Sequence, residues 1–192
     1  MLRLVVGLGN PGARYRGSRH NIGFDWVDRV ADSLGARWAA QRRYQAELSE
    51  WTVGGVTLWA MKPQGYMNHS GRSVAPFARA KGIAADEILV VHDELDLPPG
   101  AARLKAGGGH GGHNGLRDLV EQLGAKDFLR LRLGIGHPGD RDQVTPYVLG
   151  RPTPEERRAM QGAMDRATEV LPELAAGEWQ RAVNRLHAPA PS

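Results

Sequence analysis

Leu2-Arg3-Leu4-Val5-Val6-Gly7-Leu8-Gly9-Asn10-Pro11-Gly12 decides the fold. Leu2 to Leu8 is apolar apart from one arginine, the pattern of a strand covered on both faces, and Asn10-Pro11-Gly12 breaks it. Gly7, Gly9 and Gly12 satisfy the G-x-G-x-x-G spacing of a dinucleotide-binding turn. Such a turn must open a helix at once, so that the helix N-terminus faces a pyrophosphate. Here Pro11 lies inside the loop, and residues 13–19 show no apolar helical period. Helical spacing starts only at Ile22 and runs through Trp26, Val27, Val30 and Leu34 to a stop at Gly35. The stretch therefore reads as a buried first strand feeding a glycine turn and a polar loop, with the nucleotide fingerprint disfavoured.

Working outward, Gln45 to Val53 and Val56 to Met61 flank Gly54-Gly55, a hairpin signal. Ser70 to Lys81 predicts a helix closed by Gly82, with Pro76 inside it. Ile88 to Val91 is a short apolar strand that ends in His92-Asp93-Glu94, and Pro98-Pro99-Gly100 is a turn. A strand over Ala102 to Ala106, a glycine-rich stretch over Gly107 to Gly115, a helix over Leu116 to Leu123 and an alternating strand over Phe128 to Ile135 follow. Thr153-Pro154-Glu155-Glu156 has capping-box spacing with proline at the first helical position. The helix after it uses Met160, Met164, Ala167 and Leu171, and another uses Trp179, Val183 and Leu186. Strands alternating with helices predict a single α/β domain over residues 1–187, with a mixed, twisted central sheet sandwiched between helices and a flexible tail at 188–192.

The chain has 192 residues, 41% of them hydrophobic, enough for one real core and against general disorder. It has no apolar run of about 18 residues, so no membrane partner is expected. It has no cysteine, which removes disulfides, thiolate metal sites and thiol nucleophiles together and fits a cytoplasmic location. The net charge of +4 is modest, but it is unevenly placed. Residues 1–24 carry Arg3, Arg14, Arg16 and Arg19 with no acid, and residues 101–117 carry Arg103, Lys105 and Arg117 with none. Two loops are thus expected to have a local cationic rim suited to a polyanion.

Sites in open α/β sheets form at the carboxyl ends of strands. If the first strand and the Ile88 strand run parallel, Asn10 and Asp93 share one edge, and His20 returns to it. A histidine backed by a carboxylate is a general base with an orienting partner. There is no G-x-S-x-G elbow and no cysteine, so such a base is expected to activate water. The rival metal reading rests on His110 and His113 at H-x-x-H spacing with His92 nearby, without any H-E-x-x-H. Asn68 and Asn114 precede helical patterns, where asparagines hold peptide groups or simply cap the helix. The glycine loop before Leu116 lacks the G-K-[ST] of a nucleotide-triphosphate loop. A nucleotide- or RNA-binding module and a peptidase remain the other readings.

Gly7 to Gly12 followed by Tyr15-Arg16-Gly17-Ser18-Arg19-His20-Asn21-Ile22-Gly23 resembles the first signature of the bacterial peptidyl-tRNA hydrolase family. Gly109 to Leu119 resembles its second, and Tyr66-Met67-Asn68, His92 to Gly100 and Gly134 to Gly139 fill the order between and after. The resemblance spans Leu4 to His187. It implies hydrolysis of the ester between a peptide and the 3′ end of tRNA, by one monomeric α/β domain with neither metal nor cofactor. It implies His20 as the water-activating base, Asp93 as its orienting group, and Asn10 as the residue that tells a blocked peptidyl chain from a free aminoacyl group. Tyr15, Tyr66, Met67, Asn68, His113 and Asn114 are the implied substrate-binding set. The acceptor end of tRNA and the C-terminal part of the peptide are the implied partners. Lys105 and Arg132 match a cationic pair for a tRNA phosphate, with Arg130 as the alternative to Arg132. Ser18, Gly65 and His69 depart from the usual residues, and the last two bear on the shape of the Asn68 loop.

Overall fold

The computed structural model describes residues 1–189. Its strands are β1 (Leu4–Gly7), β2 (Ala39–Gln41), β3 (Ala46–Val53), β4 (Val56–Pro63), β5 (Ile88–Glu94), β6 (Ala102–Ala106) and β7 (Leu129–Gly134). They form one seven-stranded sheet in the order β2-β3-β4-β1-β5-β7-β6. The centre, β4-β1-β5-β7, is parallel, and β2, β3 and β6 join antiparallel, so the sheet is mixed. The helices are α1 (Ile22–Leu34), α2 (Ser70–Lys81), α3 (Asn114–Leu123), α4 (Val144–Leu149), α5 (Pro154–Glu169), α6 (Leu171–Ala175) and α7 (Trp179–His187).

Strand alternation divides the core in two. Val5, Leu89, Val91, Leu131 and Leu133 face Trp26, Met160, Leu174 and Leu186, a layer built from α1, α5, α6 and α7. Leu4, Val6, Ile88 and Val90 face Val74, Phe77, Leu116 and Leu119 of α2 and α3. Both faces of the central strands are thus covered, which explains why β1 and β5 read as continuous apolar runs.

Gly23 is the point at which α1 meets the sheet. A Cβ on Gly23 would lie 2.4 Å from the Val91 carbonyl oxygen, and one on Gly7 would lie 2.4 Å from the Gly23 carbonyl oxygen. Only backbone fits there, so the start of α1 is pressed onto the ends of β1 and β5. The turn before it, Arg19–Asn21, is thereby fixed at the same sheet edge. The parallel pairing Gly7↔Val91 carries Asn10 and Asp93 to that edge too.

Several boundaries differ from the sequence reading. β5 extends through His92, Asp93 and Glu94, because β7 continues beside it as far as Gly134. The helix expected from Thr153 to Leu171 divides at Val170 into α5 and α6, where Pro172 cannot continue the hydrogen-bond ladder. β2 and α4 were not expected. α4 begins at Val144 within the polar segment after Gly139 and is held by Arg19, whose guanidinium donates to the Tyr147 carbonyl at 2.9 Å and stacks 3.9 Å above its ring. At the far edge of the sheet, the backbone N–H of Leu104 on β6 donates to Nε2 of His187 on α7 at 2.9 Å. Of the tail expected at 188–192, residues 190–192 lie outside the described residues.

Candidate active site

Asp93 is the centre of the site. It is 4% exposed, and each carboxylate oxygen receives one hydrogen bond: Oδ2 from His20 Nδ1 and Oδ1 from His113 Nε2, both at 2.8 Å. The two imidazoles therefore hold opposite tautomers. His113 Nδ1 accepts the backbone N–H groups of Gly115 at 3.1 Å and Leu116 at 3.2 Å, so it carries no proton and its Nε2–H points at Asp93. His113 is thus the N-cap of α3. Asn114, expected as a possible cap, is instead the first helical residue and is exposed. On His20 the proton sits on Nδ1, which leaves Nε2 as a bare acceptor.

Burial is the largest influence on each charged group here, and it opposes charge. For His20 it lowers the pKa, but the charge and hydrogen bond of Asp93 together outweigh it, and the net shift is upward from the ordinary histidine value. For Asp93 burial raises the pKa, and the charges and hydrogen bonds of His20 and His113 reverse it, holding the carboxyl below the usual range. His92, fully buried, is pushed down to about 3 by burial and by His113. Its Nδ1–H donates to the Asp93 carbonyl at 2.8 Å, so it is a neutral support beneath the site.

Asn10 is 7% exposed and firmly held. Its N–H donates to Asn21 Oδ1 at 2.8 Å, its carbonyl accepts from Asn21 Nδ2 at 2.9 Å, and its Oδ1 accepts the Met67 N–H at 2.7 Å. Among the described residues, only the Nδ2 of its carboxamide makes no bond. The clasp that Asn21 makes on Asn10 and this use of Oδ1 were not foreseen. Met67 is 4% exposed and packs in the α2/α3 core, whereas Tyr66, at 58%, and Asn68 stand in solvent. Tyr66 meets Tyr15 edge-to-face at 6.2 Å. The two departures in this loop face one another: a Cβ on Gly65 would come 3.2 Å from the His69 Cβ.

His20, Asp93, His113 and Asn114 line a cavity of about 490 Å³ that continues to Lys105 and Arg132. Among the described residues, its only lining hydroxyl is that of Thr145. The far wall is one face of β6 and β7. Register pairs Arg103 with Arg132 and Lys105 with Arg130, so alternation places these four cations on one face, while Leu104, Leu131 and Leu133 fill the core behind. They are not equivalent. Arg130 is 2% exposed, and its guanidinium donates to the carbonyls of Gly108, Gly109 and Lys126, tying down the glycine loop. Arg132 is partly exposed and lies 3.6 Å from Glu94, and Lys105 is exposed. The N-terminal rim is also thinner than the sequence suggests. Arg3 donates to the Lys81 and Gly82 carbonyls, and Arg19 pairs with Glu156 at 3.0 Å, leaving Arg14 and Arg16 exposed.

The expected rival metal set does not assemble as one site. His110 Nδ1 accepts the Gly112 N–H at 3.0 Å, and His92 is committed to Asp93. Potential ligand atoms of His20, Asp93 and His113 do lie within 4.8 Å of one another. A cation there would have to take the proton from His113 Nε2, and moving that proton to Nδ1 would break the α3 cap. The donor set fits hydrogen bonding better.

An imidazole hydrogen-bonded to a buried carboxylate at the edge of a mixed α/β sheet is an arrangement suited to a hydrolase. The chain belongs to the peptidyl-tRNA hydrolase family, whose model it matches over residues 4–192. It is 50% identical to the peptidyl-tRNA hydrolase of Halorhodospira halophila, covering 97% of this chain and 96% of that protein. It is 52% identical to that of Methylobacillus flagellatus with the same coverage. The crystal structure of peptidyl-tRNA hydrolase from Acinetobacter baumannii superposes with a TM-score of 0.96 at 43% identity, over 100% of this chain and 97% of that one. The chain is an enzyme of this activity.

Proposed function

We propose that His20 activates a water molecule to hydrolyse the ester between peptide and tRNA, with Asp93 orienting the base. The observation that carries this reading is the divided carboxylate of Asp93, which fixes the His20 tautomer and leaves Nε2 free. Water gives a proton to Nε2 as its oxygen attacks the ester carbonyl. The imidazolium that forms faces Asp93, and it returns the proton to the ribose oxygen as that group leaves. His113 completes the arrangement by occupying the other Asp93 oxygen.

Asn10 reads the substrate through Nδ2. With Oδ1 engaged by Met67, the exposed function is a donor, matched to the carbonyl of an N-acyl group and unsuited to a free ammonium. Met67 acts here through its backbone. Asn68 holds peptide backbone, Asn114 at the start of α3 positions the water, and Tyr15 and Tyr66 lie against the 3′ end. Lys105 and Arg132, rather than the buried Arg130, take a tRNA phosphate. One chain supplies all these groups, which supports a monomer, and the cytoplasm is where its substrate would arise.

The test compares an N-acetylated aminoacyl ester on tRNA with the matched peptide amide, for wild type and His20→Ala. Cleavage of the ester alone by wild type is expected, with turnover reduced about 10²–10⁴-fold in the variant while tRNA binding persists. Near-normal turnover by His20→Ala removes His20 as the base.

A further inference from the structure

Two smaller cavities lie on the Asn10 side of the site, away from the cationic sheet face. The first, about 170 Å³, is lined by Asn10, Asn21, Asp25, Asp28, Glu47 and Lys62. The second, about 270 Å³, lies between the loop before His20 and α5, lined by Arg16, Arg29, Arg157, Pro152, Met160 and Met164. They share Arg16 and Asp25 as a common wall, so together they form one route leading from Asn10 to α5.

The far cavity has a mouth with three arginines against the single carboxylate of Asp25, which feels the charges of Arg157 and Arg29, and an apolar floor. Arg29 is paired with Asp165. Among the described residues, neither Arg16 nor Arg157 forms an ion pair or a side-chain hydrogen bond. Gly17 brings the loop directly over Arg157, whose Nη2 lies 3.7 Å from where a Cβ on Gly17 would stand. Met160 and Met164 are each 5% exposed and give apolar surface beneath these guanidinium groups. A carboxylate on a short methylene stem matches both parts: the stem against methionine, the oxygens against the guanidinium forks.

We infer that this cavity is a subsite for an acidic side chain of the peptide, several residues upstream of the ester. The inference rests on the reading of Asn10 as the first contact with the peptide. A tRNA backbone suits the route less well, because it would pass Asp25, Asp28 and Glu47, with Lys62 already bound to Asp28 at 2.6 Å and Glu47 at 3.3 Å. Uncharged peptide backbone tolerates that passage.

The experiment uses N-acetylated peptidyl-tRNAs in which one glutamate is moved residue by residue away from the ester, each paired with its glutamine counterpart. Wild type is expected to show, at one position, a KM about two- to five-fold lower for glutamate than for glutamine, the size of a partly exposed ion pair. In Arg16→Ala/Arg157→Ala that ratio falls to about one, and in Arg157→Glu the same position prefers lysine. A glutamate effect at no position, or one that survives in the double variant, overturns the subsite while leaving the hydrolase reading intact. If Asn10→Ala leaves KM for the N-acetylated esters unchanged, the reading of Asn10 fails and the subsite falls with it.

Discussion

At the carboxyl end of β5 a single carboxylate is sealed between two imidazoles. On the next two strands, β7 and β6, Arg132 and Lys105 stand on an open face with their nearest carboxylate 3.6 Å from Arg132. Both regions are charged and both line the same cavity, yet burial separates their physics. Where water is excluded, each charge must have a specific partner, and removing one partner leaves the other stranded. Where water remains, a charge acts over distance and salt weakens it. The first region suits bond chemistry, the second capture of a polyanion.

Replacing Asp93 by Asn attacks the sealed region and has the largest expected effect, a loss of about 10²–10⁴-fold in kcat. The pH profile is the sharper readout. On the proposed mechanism His20 acts in its neutral form, and its pKa is raised, so wild-type kcat/KM is expected to rise with pH along a limb above the ordinary value of about 6.5. In Asp93→Asn only burial remains, and the limb moves below that value. Profiles with the same limb would separate Asp93 from the base.

Arg130→Met tests the boundary between the regions, since Arg130 belongs to the cationic face yet is buried. Chemical denaturation is expected to show a loss of about 2–3 kcal/mol, from charged hydrogen bonds to the glycine loop carbonyls. Unchanged stability would place Arg130 with the solvent-facing pair.

Asp25 is the counterexample to Asp93: a partly buried carboxylate raised to about 6 by burial and by the neighbouring charge of Asp28, against the opposing pull of Arg157, Arg29 and Lys62. Its folded form binds the proton more tightly than the unfolded chain, so wild-type stability falls as pH climbs from about 4 to about 6. Asp25→Asn is therefore expected to be more stable by about 1–3 kcal/mol at pH 7.5, with the advantage gone near pH 4. A variant less stable at pH 7.5 would show that Asp25 has a compensating partner. Lys105→Ala, the smallest change, should leave stability untouched, weaken tRNA binding a few-fold and flatten its salt slope by about one unit. A wild-type slope would deny it a phosphate contact.

Much of this was legible in the chain itself. Apolar runs marked β1 and β5 as central, and alternation marked β7, because strand periodicity is local. The sharing of one edge by Asn10 and Asp93 followed from parallel strands, and the short loop after Asn10 allowed His20 to return to it. What escaped depends on contacts distant in sequence. α4 contains Pro146 and β-branched Val144 and Thr145, a poor helical pattern, and takes shape against Arg19. His113 caps α3 through an imidazole nitrogen where Ser, Thr, Asp or Asn is the usual signal. Arg130 and Arg132 have the same type and parity, and only the path of the glycine loop sends one inward. Asn21 carries no mark in the sequence that it clasps Asn10 on both sides.

The bond from Leu104 to His187 bears on how the chain is made. β6 is an outer strand, and its backbone would otherwise offer a docking line to any extended polypeptide nearby. Because α7 follows β6 by more than seventy residues, the acceptor for the Leu104 N–H is made long after the strand it caps. The seal also responds to acidity. A protonated His187 no longer accepts the Leu104 N–H, and its pKa is lowered by burial and by Arg103 and Arg132. Burial, helped by Arg103 and Arg132, thus favours the accepting, neutral form of His187 and keeps the sheet's edge closed as the surroundings acidify.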